Sequence, residues 1–208
     1  MTLDQVAATG QGPVHAHRGS APLSVKIVIA GPFGVGKTSL VGAISEIPPL
    51  TTEAILTSAS VGVDDASGMP GKTTTTVAMD FGRITLDDQL ILYLFGTPGQ
   101  QRFWFMWDEV ARGAIGAVVL VDTRRLAGSF GPLDYFEARQ LPYVVVANTF
   151  PGQPVHDVAD LREALVLAAD VPVVRADVRE REQVAAILTV LVEHAIDRRR
   201  LPIRRPGP

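Results

Sequence analysis

The stretch Gly31–Thr38 reads Gly-Pro-Phe-Gly-Val-Gly-Lys-Thr and matches the pattern G-x-x-x-x-G-K-[ST] at every fixed position. A run rich in β-branched residues, Leu23–Ala30, precedes it and predicts a buried strand. A helix is predicted from Lys37 to about Ile47, where two prolines stop it. In this strand–loop–helix order, successive backbone N–H groups converge on an anion at the positive end of the helix. The sequence therefore predicts a loop that binds the phosphates of a nucleoside triphosphate.

Each polar side chain of this loop has an expected task. Lys37 is expected to reach the β- and γ-phosphates, and Thr38 to place its hydroxyl on Mg²⁺. The residues expected to contact the nucleotide in this segment are Gly31, Gly34, Val35, Gly36, Lys37, Thr38 and Ser39. The pattern alone leaves open whether the chain is a kinase, an ATPase or a GTPase.

Strand and helix patterns alternate along the rest of the chain. The further predicted strands are 77–86, 89–95, 114–121, 143–147 and 171–175, the first two forming a hairpin around Asp87-Asp88. The further predicted helices are 102–111, 132–139, 155–168 and 180–197. This alternation predicts a doubly wound, mostly parallel α/β sheet with helices on both faces and one antiparallel edge strand. The long stretch between Ile47 and Thr76 is interpreted as a loop that is functional or partly disordered.

Composition divides the chain into three parts and restricts its function. Residues 1–22 are interpreted as a disordered arm, 23–197 as the nucleotide-binding domain and 198–208 as a basic tail. The net charge is −3 although the tail carries five arginines, so the domain itself is acidic, which argues against a nucleic-acid platform. The tail is either solvated or touches anionic lipid. The chain has no cysteine, which favours a reducing cytoplasm.

The segment Phe95–Phe103, Phe-Gly-Thr-Pro-Gly-Gln-Gln-Arg-Phe, resembles the second switch of Ras-like GTPases, where a strand ends in D-x-x-G-Q. The resemblance implies that Gly99 offers its N–H to the γ-phosphate and that Gln100 orients the attacking water. Thr76, before a predicted strand, resembles the first-switch threonine that contacts Mg²⁺ and the γ-phosphate. Its neighbours at 73–75 are rival candidates.

The base-binding motifs match less well. Asn148 follows a strand where Ras-like GTPases carry N-K-x-D, but Thr149 replaces the lysine and Pro151 the aspartate. Asp177 and Val178 resemble the S-A-K loop, whose backbone N–H contacts the base. Preference for GTP over ATP is therefore left open.

The chain resembles bacterial polarity GTPases of the MglA type, which also lack the switch aspartate; Gly96 stands in its place here. The strings FGTPGQ and TTTTVAMDFG are most similar to GTP-binding proteins of actinobacterial conservons. This implies a signalling switch that binds GTP or GDP with Mg²⁺, hydrolyses GTP slowly, and acts with a roadblock-type partner and a sensor kinase-like protein. Polarity GTPases carry a catalytic arginine where Thr75 stands, so the alternative is a nucleotide-dependent scaffold that barely hydrolyses. A small-molecule kinase is the third hypothesis, although no Arg-rich lid segment is evident.

Two further features have competing interpretations. The aromatic run Phe103–Trp107 follows the switch-like segment and favours a partner interface that changes with the nucleotide, or else packs beneath the switch. Asp122, at the end of a strand, is interpreted as a helix cap rather than as the missing acid near Mg²⁺. His15 and His17 are not expected to bind a metal, because no third ligand accompanies them.

Overall fold

The computed structural model describes residues 22–48, 50–57, 74–87 and 89–200. The strands are β1 (Leu23–Ala30), β2 (Leu50–Thr57), β3 (Thr74–Asp87), β4 (Leu90–Gly96), β5 (Ala114–Val121), β6 (Tyr143–Asn148) and β7 (Val173–Ala176). The α-helices are α1 (Lys37–Ile44), α2 (Trp107–Ala111), α3 (Phe130–Ala138), α4 (Val158–Ala164) and α5 (Arg181–Arg200), and two 3₁₀ segments cover Gln101–Met106 and Leu126–Ser129. The predicted arm, with its two histidines, and the tail beyond residue 200 lie outside the described residues.

The strands form one seven-stranded sheet in the order β2-β3-β4-β1-β5-β6-β7. β3 pairs antiparallel with both of its neighbours, β2 and β4. The strands β1, β4, β5, β6 and β7 pair parallel to one another. The predicted doubly wound, mostly parallel sheet is confirmed. The expectation that the antiparallel strand lies at the edge is wrong, because β2 lies outside it.

β2 was not expected, since its residues fall in the stretch interpreted as a loop. It pairs with β3 over its whole length, from Leu50 opposite Phe81 to Thr57 opposite Thr74. That pairing also extends β3 to Thr74, three residues before its predicted start. Strand formation here depends on a partner distant in sequence, which a local pattern does not reveal.

Two cores lie on opposite faces of the sheet and are covered by different helices. Successive β1 residues alternate between them: Ile27 and Ile29 pack in the core that includes residues of α1 and α5, and Val28 and Ala30 in the core that includes residues of α2, α3 and α4. The predicted apolar stripe of α5 is confirmed, since Val184, Ile187, Leu188, Leu191 and Ala195 are buried and Val192 is partly buried.

Several helix boundaries differ from the predictions. α1 ends at Ile44, where Ser45 adopts an extended conformation, rather than at Ile47. α4 is shorter than predicted, because Asp157 caps its start by accepting a hydrogen bond from Ala159 N. The predicted helix at 102–111 begins as a 3₁₀ segment and becomes α-helical only at Trp107. No helix among the described residues is long and apolar enough to cross a membrane.

Candidate functional site

The predicted phosphate loop lies where β1 ends and α1 begins, at the carboxyl edge of the parallel strands. Gly31 and Gly36 have φ angles of +140° and +107°, which other residues rarely adopt. A Cβ on Gly31 would lie 2.5 Å from the carbonyl oxygen of Leu120, and one on Gly36 would lie 2.8 Å from Asn148 Nδ2. The loop is therefore held close against β5 and β6 by positions that admit no side chain.

Lys37 folds back over this loop. Its side-chain nitrogen donates to the carbonyl oxygens of Gly31, at 2.9 Å, and Pro32, at 2.8 Å, and the residue is only 9% exposed. Burial lowers the pKa of Lys37 to about 8, and the nearby charge of Asp80 partly opposes that shift. An ammonium group held among carbonyl oxygens and N–H groups is suited to receive the oxygens of a phosphate.

Asp80 stands beside Thr38, and the sequence analysis missed it. Thr38 Oγ1 donates to Asp80 Oδ2 at 2.8 Å. A Cβ on Gly96 would lie 3.0 Å from Asp80 Cβ and 3.1 Å from Oδ2, so Asp80 fills the space of a side chain at position 96. The acid absent from the end of β4 is thus supplied by the neighbouring strand β3. The register of the predicted hairpin could have indicated this position. Phe81 pairs with Phe95, so the next residues along, Asp80 and Gly96, lie opposite each other.

The donors at this position suit Mg²⁺. A threonine hydroxyl and a carboxylate are oxygen ligands of the kind that Mg²⁺ prefers, usually together with waters and substrate phosphates. The described residues contain no group of three histidine, cysteine, aspartate or glutamate side chains that could hold a metal ion. Thr38 and Asp80 are therefore the residues that would hold it.

The switch-like segment after β4 lies against the phosphate loop. Thr97 N donates to Ile29 O at 2.8 Å, and the chain then passes over Lys37. A Cβ on Gly99 would lie 2.8 Å from both Lys37 Nζ and Phe33 N. The two segments that the sequence singled out therefore meet. Gln100, the predicted catalytic residue, is adjacent and exposed.

Thr76 is placed differently from the expectation. It lies within β3, opposite Ile55, rather than in a loop that precedes the strand. Four residues along a strand separate it from Asp80, a distance of about 13 Å. To reach Thr38, the first residues of β3 would have to leave the sheet. Thr76 as a metal ligand stays a prediction.

Asn148 connects three segments at the expected base edge. Its Nδ2 donates to Val35 O at 2.9 Å, and its Oδ1 accepts from Val178 N at 3.3 Å. Thr149 N donates to Ala176 O, so the loop after β6 is tied to β7. Both polar atoms of Asn148 thus already bond to protein, which leaves less of this side chain for a base than the resemblance implies.

Asp177 is also engaged within the protein. Its carboxylate accepts from the backbone N–H and the guanidinium of Arg179, and these bonds lower the pKa of Asp177 to about 2. Its backbone N–H donates to Gln183 Oε1 at 2.9 Å. The residue is therefore an ionised acid at the mouth of the predicted base site, paired with a cation of its own loop.

Asp122 does not approach Thr38. Its carboxylate, buried at the end of β5, accepts from the backbone and guanidinium of Arg124 and from Arg125. It caps the turn before the 3₁₀ segment, as an acid at that position can, rather than the helix itself. The Arg124 guanidinium lies 3.9 Å from the centre of the Phe150 ring. This stack beside the predicted base site was missed by the sequence analysis.

The aromatic run divides between core and surface. Trp107 is fully buried and Phe103 is 7% exposed, whereas Phe105 is 65% exposed. The first and last residues of the run, at i and i+4, face the core, as the interpretation that part of the run packs beneath the switch requires. A partner interface at the exposed residue stays a prediction. Phe33, in the phosphate loop, is a second exposed aromatic residue, at 72%.

The sequence is similar to known proteins. A family model described as "conserved hypothetical ATP binding protein" matches residues 29–198. An uncharacterized protein of Methanocaldococcus jannaschii is 29% identical over 126 residues, which are 60% of this chain and 69% of that protein.

Solved structures of G-domains have a similar fold. The structure is similar to the cytosolic domain of the T. maritima FeoB iron transporter in a GDP form, with a TM-score of 0.59 and 20% identity. That match covers 85% of this chain but only 65% of the other. The FeoB G-domain from Methanococcus jannaschii matches with a TM-score of 0.56 and 13% identity, over 84% of this chain and 99% of the other.

Proposed function

Since the chain belongs to the family of conserved hypothetical ATP-binding proteins, we propose that it is a nucleotide-dependent switch that binds GTP or GDP with Mg²⁺ and hydrolyses GTP slowly. The observation that carries this proposal is the contact between Gly99 and Lys37. A group bound at the phosphate loop would touch a segment that leads directly to the surface around Phe105. Such a contact makes the position of that segment depend on the number of phosphates.

Phosphate binding rests on the loop and on Lys37. The ammonium group exchanges its two carbonyl contacts for phosphate oxygens, and the N–H groups at the start of α1 donate to the same anion. Bound Mg²⁺ would neutralise charge on the β- and γ-phosphates. Thr38 would be one of its ligands, and the Asp80 carboxylate would orient the waters around it.

The proposed GTP hydrolysis is slow because of the position of Gln100. Gln100 is next to Gly99 and exposed, and no hydrogen bond holds its side chain among the described residues. A glutamine that is free to turn positions an attacking water only part of the time. Turnover without a partner is therefore expected on the order of 10⁻⁴ s⁻¹, as in unassisted Ras-like sites.

The preference for guanine over adenine is the first property to test. Pro151 stands where N-K-x-D carries its aspartate and has no side-chain oxygen to accept from guanine. One lost charge-assisted bond costs about 1.5–3 kcal/mol, or roughly 10- to 150-fold in relative affinity. We expect a preference for GTP that is weaker than in Ras-like sites. Competition of GTP and ATP against one fluorescent nucleotide measures it. Preference for ATP would overturn the assignment to GTP and leave the phosphate site intact.

The alternative is a nucleotide-dependent scaffold that binds but barely hydrolyses. The exposed and unheld Gln100 is the observation that favours it. A single-turnover assay with and without a roadblock-type partner separates the two functions. A rate that stays at the background of free GTP with the partner present supports the scaffold.

The proposed partners are a roadblock-type protein and possibly a sensor kinase-like protein. Phe33 and Phe105 are exposed aromatic residues on two segments that meet at Gly99, which supports an apolar surface read in one nucleotide state. We further propose that the protein acts in the cytoplasm and reaches the membrane through a partner or through its basic tail. Arg198, Arg199 and Arg200 at the end of α5 begin that tail.

A further inference from the structure

Trp107 is a buried hydrogen-bond donor that is held rigidly beneath the switch-like segment. Its indole Nε1 donates to the carbonyl oxygen of Pro98 at 3.2 Å, and the residue has no exposed surface. Its ring meets that of Tyr135 edge-on at 5.0 Å and stacks with that of Phe136 at 5.9 Å. Because α3 supplies both aromatic neighbours, the position of the indole N–H is set by the packing of the domain.

This bond orients the peptide between Pro98 and Gly99. In a trans peptide the C=O and the following N–H point in opposite directions. A donor that holds Pro98 O toward the core therefore turns Gly99 N–H away from Trp107. Gly99 itself lies against the phosphate loop, since a Cβ built on it would lie 2.8 Å from both Lys37 Nζ and Phe33 N. Its N–H has no hydrogen-bond partner among the described residues.

We propose that Trp107 is a positioning residue for the terminal phosphate of the nucleotide: by holding the Pro98 carbonyl, it aims Gly99 N–H into the phosphate loop. The proposal rests on the function proposed above. A diphosphate has no group at that place, so the loss of Trp107 Nε1 weakens the triphosphate complex and leaves the diphosphate complex alone. Trp107 thereby helps the site to distinguish the two nucleotide states.

Trp104 provides a matched control in the same segment. Its ring centre lies 5.4 Å from that of Trp107. Its Nε1 is buried like that of Trp107 but has no hydrogen-bond partner in the part of the chain that the structure describes. These are the only two tryptophans of the chain. Replacement by phenylalanine removes an indole N–H in both cases, but removes a hydrogen bond only at position 107.

The test is a set of equilibrium titrations on full-length wild type, Trp107→Phe and Trp104→Phe. Each protein is titrated with fluorescent GDP and with a fluorescent β,γ-imido analogue of GTP, and with the corresponding adenine pair. We expect Trp107→Phe to lower the affinity for the triphosphate analogue about 2- to 12-fold, the equilibrium effect of one net hydrogen bond, at unchanged diphosphate affinity. Trp104→Phe should leave the ratio of the two affinities as in wild type.

The possible outcomes separate this inference from the function on which it rests. If wild type binds all four nucleotides no better than a Lys37→Ala variant does, the proposed function fails and the inference fails with it. If wild type binds and Trp107→Phe keeps the wild-type ratio, or weakens both nucleotides equally, only the inference is overturned.

A second variant covers the case in which Trp107→Phe does not fold. Incorporating β-benzothienylalanine at both tryptophans keeps the shape of the rings and replaces each N–H by sulfur. Since Trp104 Nε1 bonds to none of the described residues, a selective loss of triphosphate affinity in that protein supports the role of Trp107. An unchanged ratio overturns it.

Discussion

Exchanging Asp80 and Gly96 tests whether a carboxylate on either of two neighbouring strands can accept the hydrogen bond of Thr38. Asp80→Gly removes the acceptor that lies 2.8 Å from Thr38 Oγ1. Gly96→Asp alone forces a second side chain into the same space, since its Cβ would lie 3.0 Å from that of Asp80. The double variant again holds one carboxylate there. We expect each single variant to lose Mg²⁺-dependent nucleotide affinity and the double variant to recover most of it.

The size of these effects follows from the contacts. Losing one charge-assisted bond costs about 1.5–3 kcal/mol, so Asp80→Gly should weaken the Mg²⁺-dependent part of binding about 10- to 150-fold. In Gly96→Asp, two carboxylates about 4 Å apart repel by about 4 kcal/mol at an effective dielectric constant near 20. This repulsion should also lower the thermal stability of the variant.

The assay is the affinity for fluorescent GDP with Mg²⁺ and with EDTA, measured for all four proteins alongside thermal unfolding. The informative quantity is the ratio of the two affinities. Thr85→Gly, in β3 but away from Thr38, controls for a glycine in this strand. The reasoning is refuted if Asp80→Gly keeps the wild-type ratio, or if the folded double variant stays as low as the single variants.

Three further predictions concern charge, catalysis and the surface. The pKa of Lys37 in the free protein is about 8 because of burial, and phosphate binds the charged form and raises that pKa; affinity should therefore be greatest below pH 8 and fall as the pH rises through it. Titrations on either side of that pH check this, and a flat profile contradicts it. Gln100→Leu should slow single-turnover hydrolysis about 10²-fold with unchanged nucleotide affinity, and equal rates would remove Gln100 from catalysis. Phe105→Ser should weaken capture of a roadblock-type partner in the triphosphate state by about 2 kcal/mol at unchanged thermal stability, and undiminished capture would place the interface elsewhere.

The phosphate loop was predictable because its chemistry lies in the backbone of consecutive residues. Glycines at 31 and 36, a lysine and a threonine between a strand and a helix leave few alternatives, and the structure shows positive φ angles at both glycines and Lys37 folded over the loop. The helix α5 was predictable for a similar reason, since one apolar stripe repeats along a single segment. Both signals are local.

β2 and Asp80 were missed because their evidence is spread across strands. The run at 50–57 contains threonines and a glutamate and becomes a strand through pairing with β3. Asp80 lies in β3, far from α1 along the chain. It comes close to Thr38 because the pairing of β3 with β4 places it against Gly96. At the end of β4, where Ras-like GTPases carry the acid, the sequence has this glycine.

The sequence of the aromatic run does not show which of its residues are buried. The 3₁₀-to-α transition at Trp107 turns the two ends of the run inward and Phe105 outward. The geometry of that transition depends on α3, whose Gly131 leaves room for the Trp104 ring. No periodicity in the run itself contains that information.

The hydrogen bonds of Asn148 support the phosphate loop rather than the selection of the base. This side chain bonds to Val35 of the phosphate loop and to Val178, so it braces the cradle itself. The two motif residues that differ here, Thr149 and Pro151, lie outside that brace. We therefore expect that mutations at these two positions can change the base preference while the phosphate loop keeps its shape, so that relatives with the same loop can diverge toward different nucleotides.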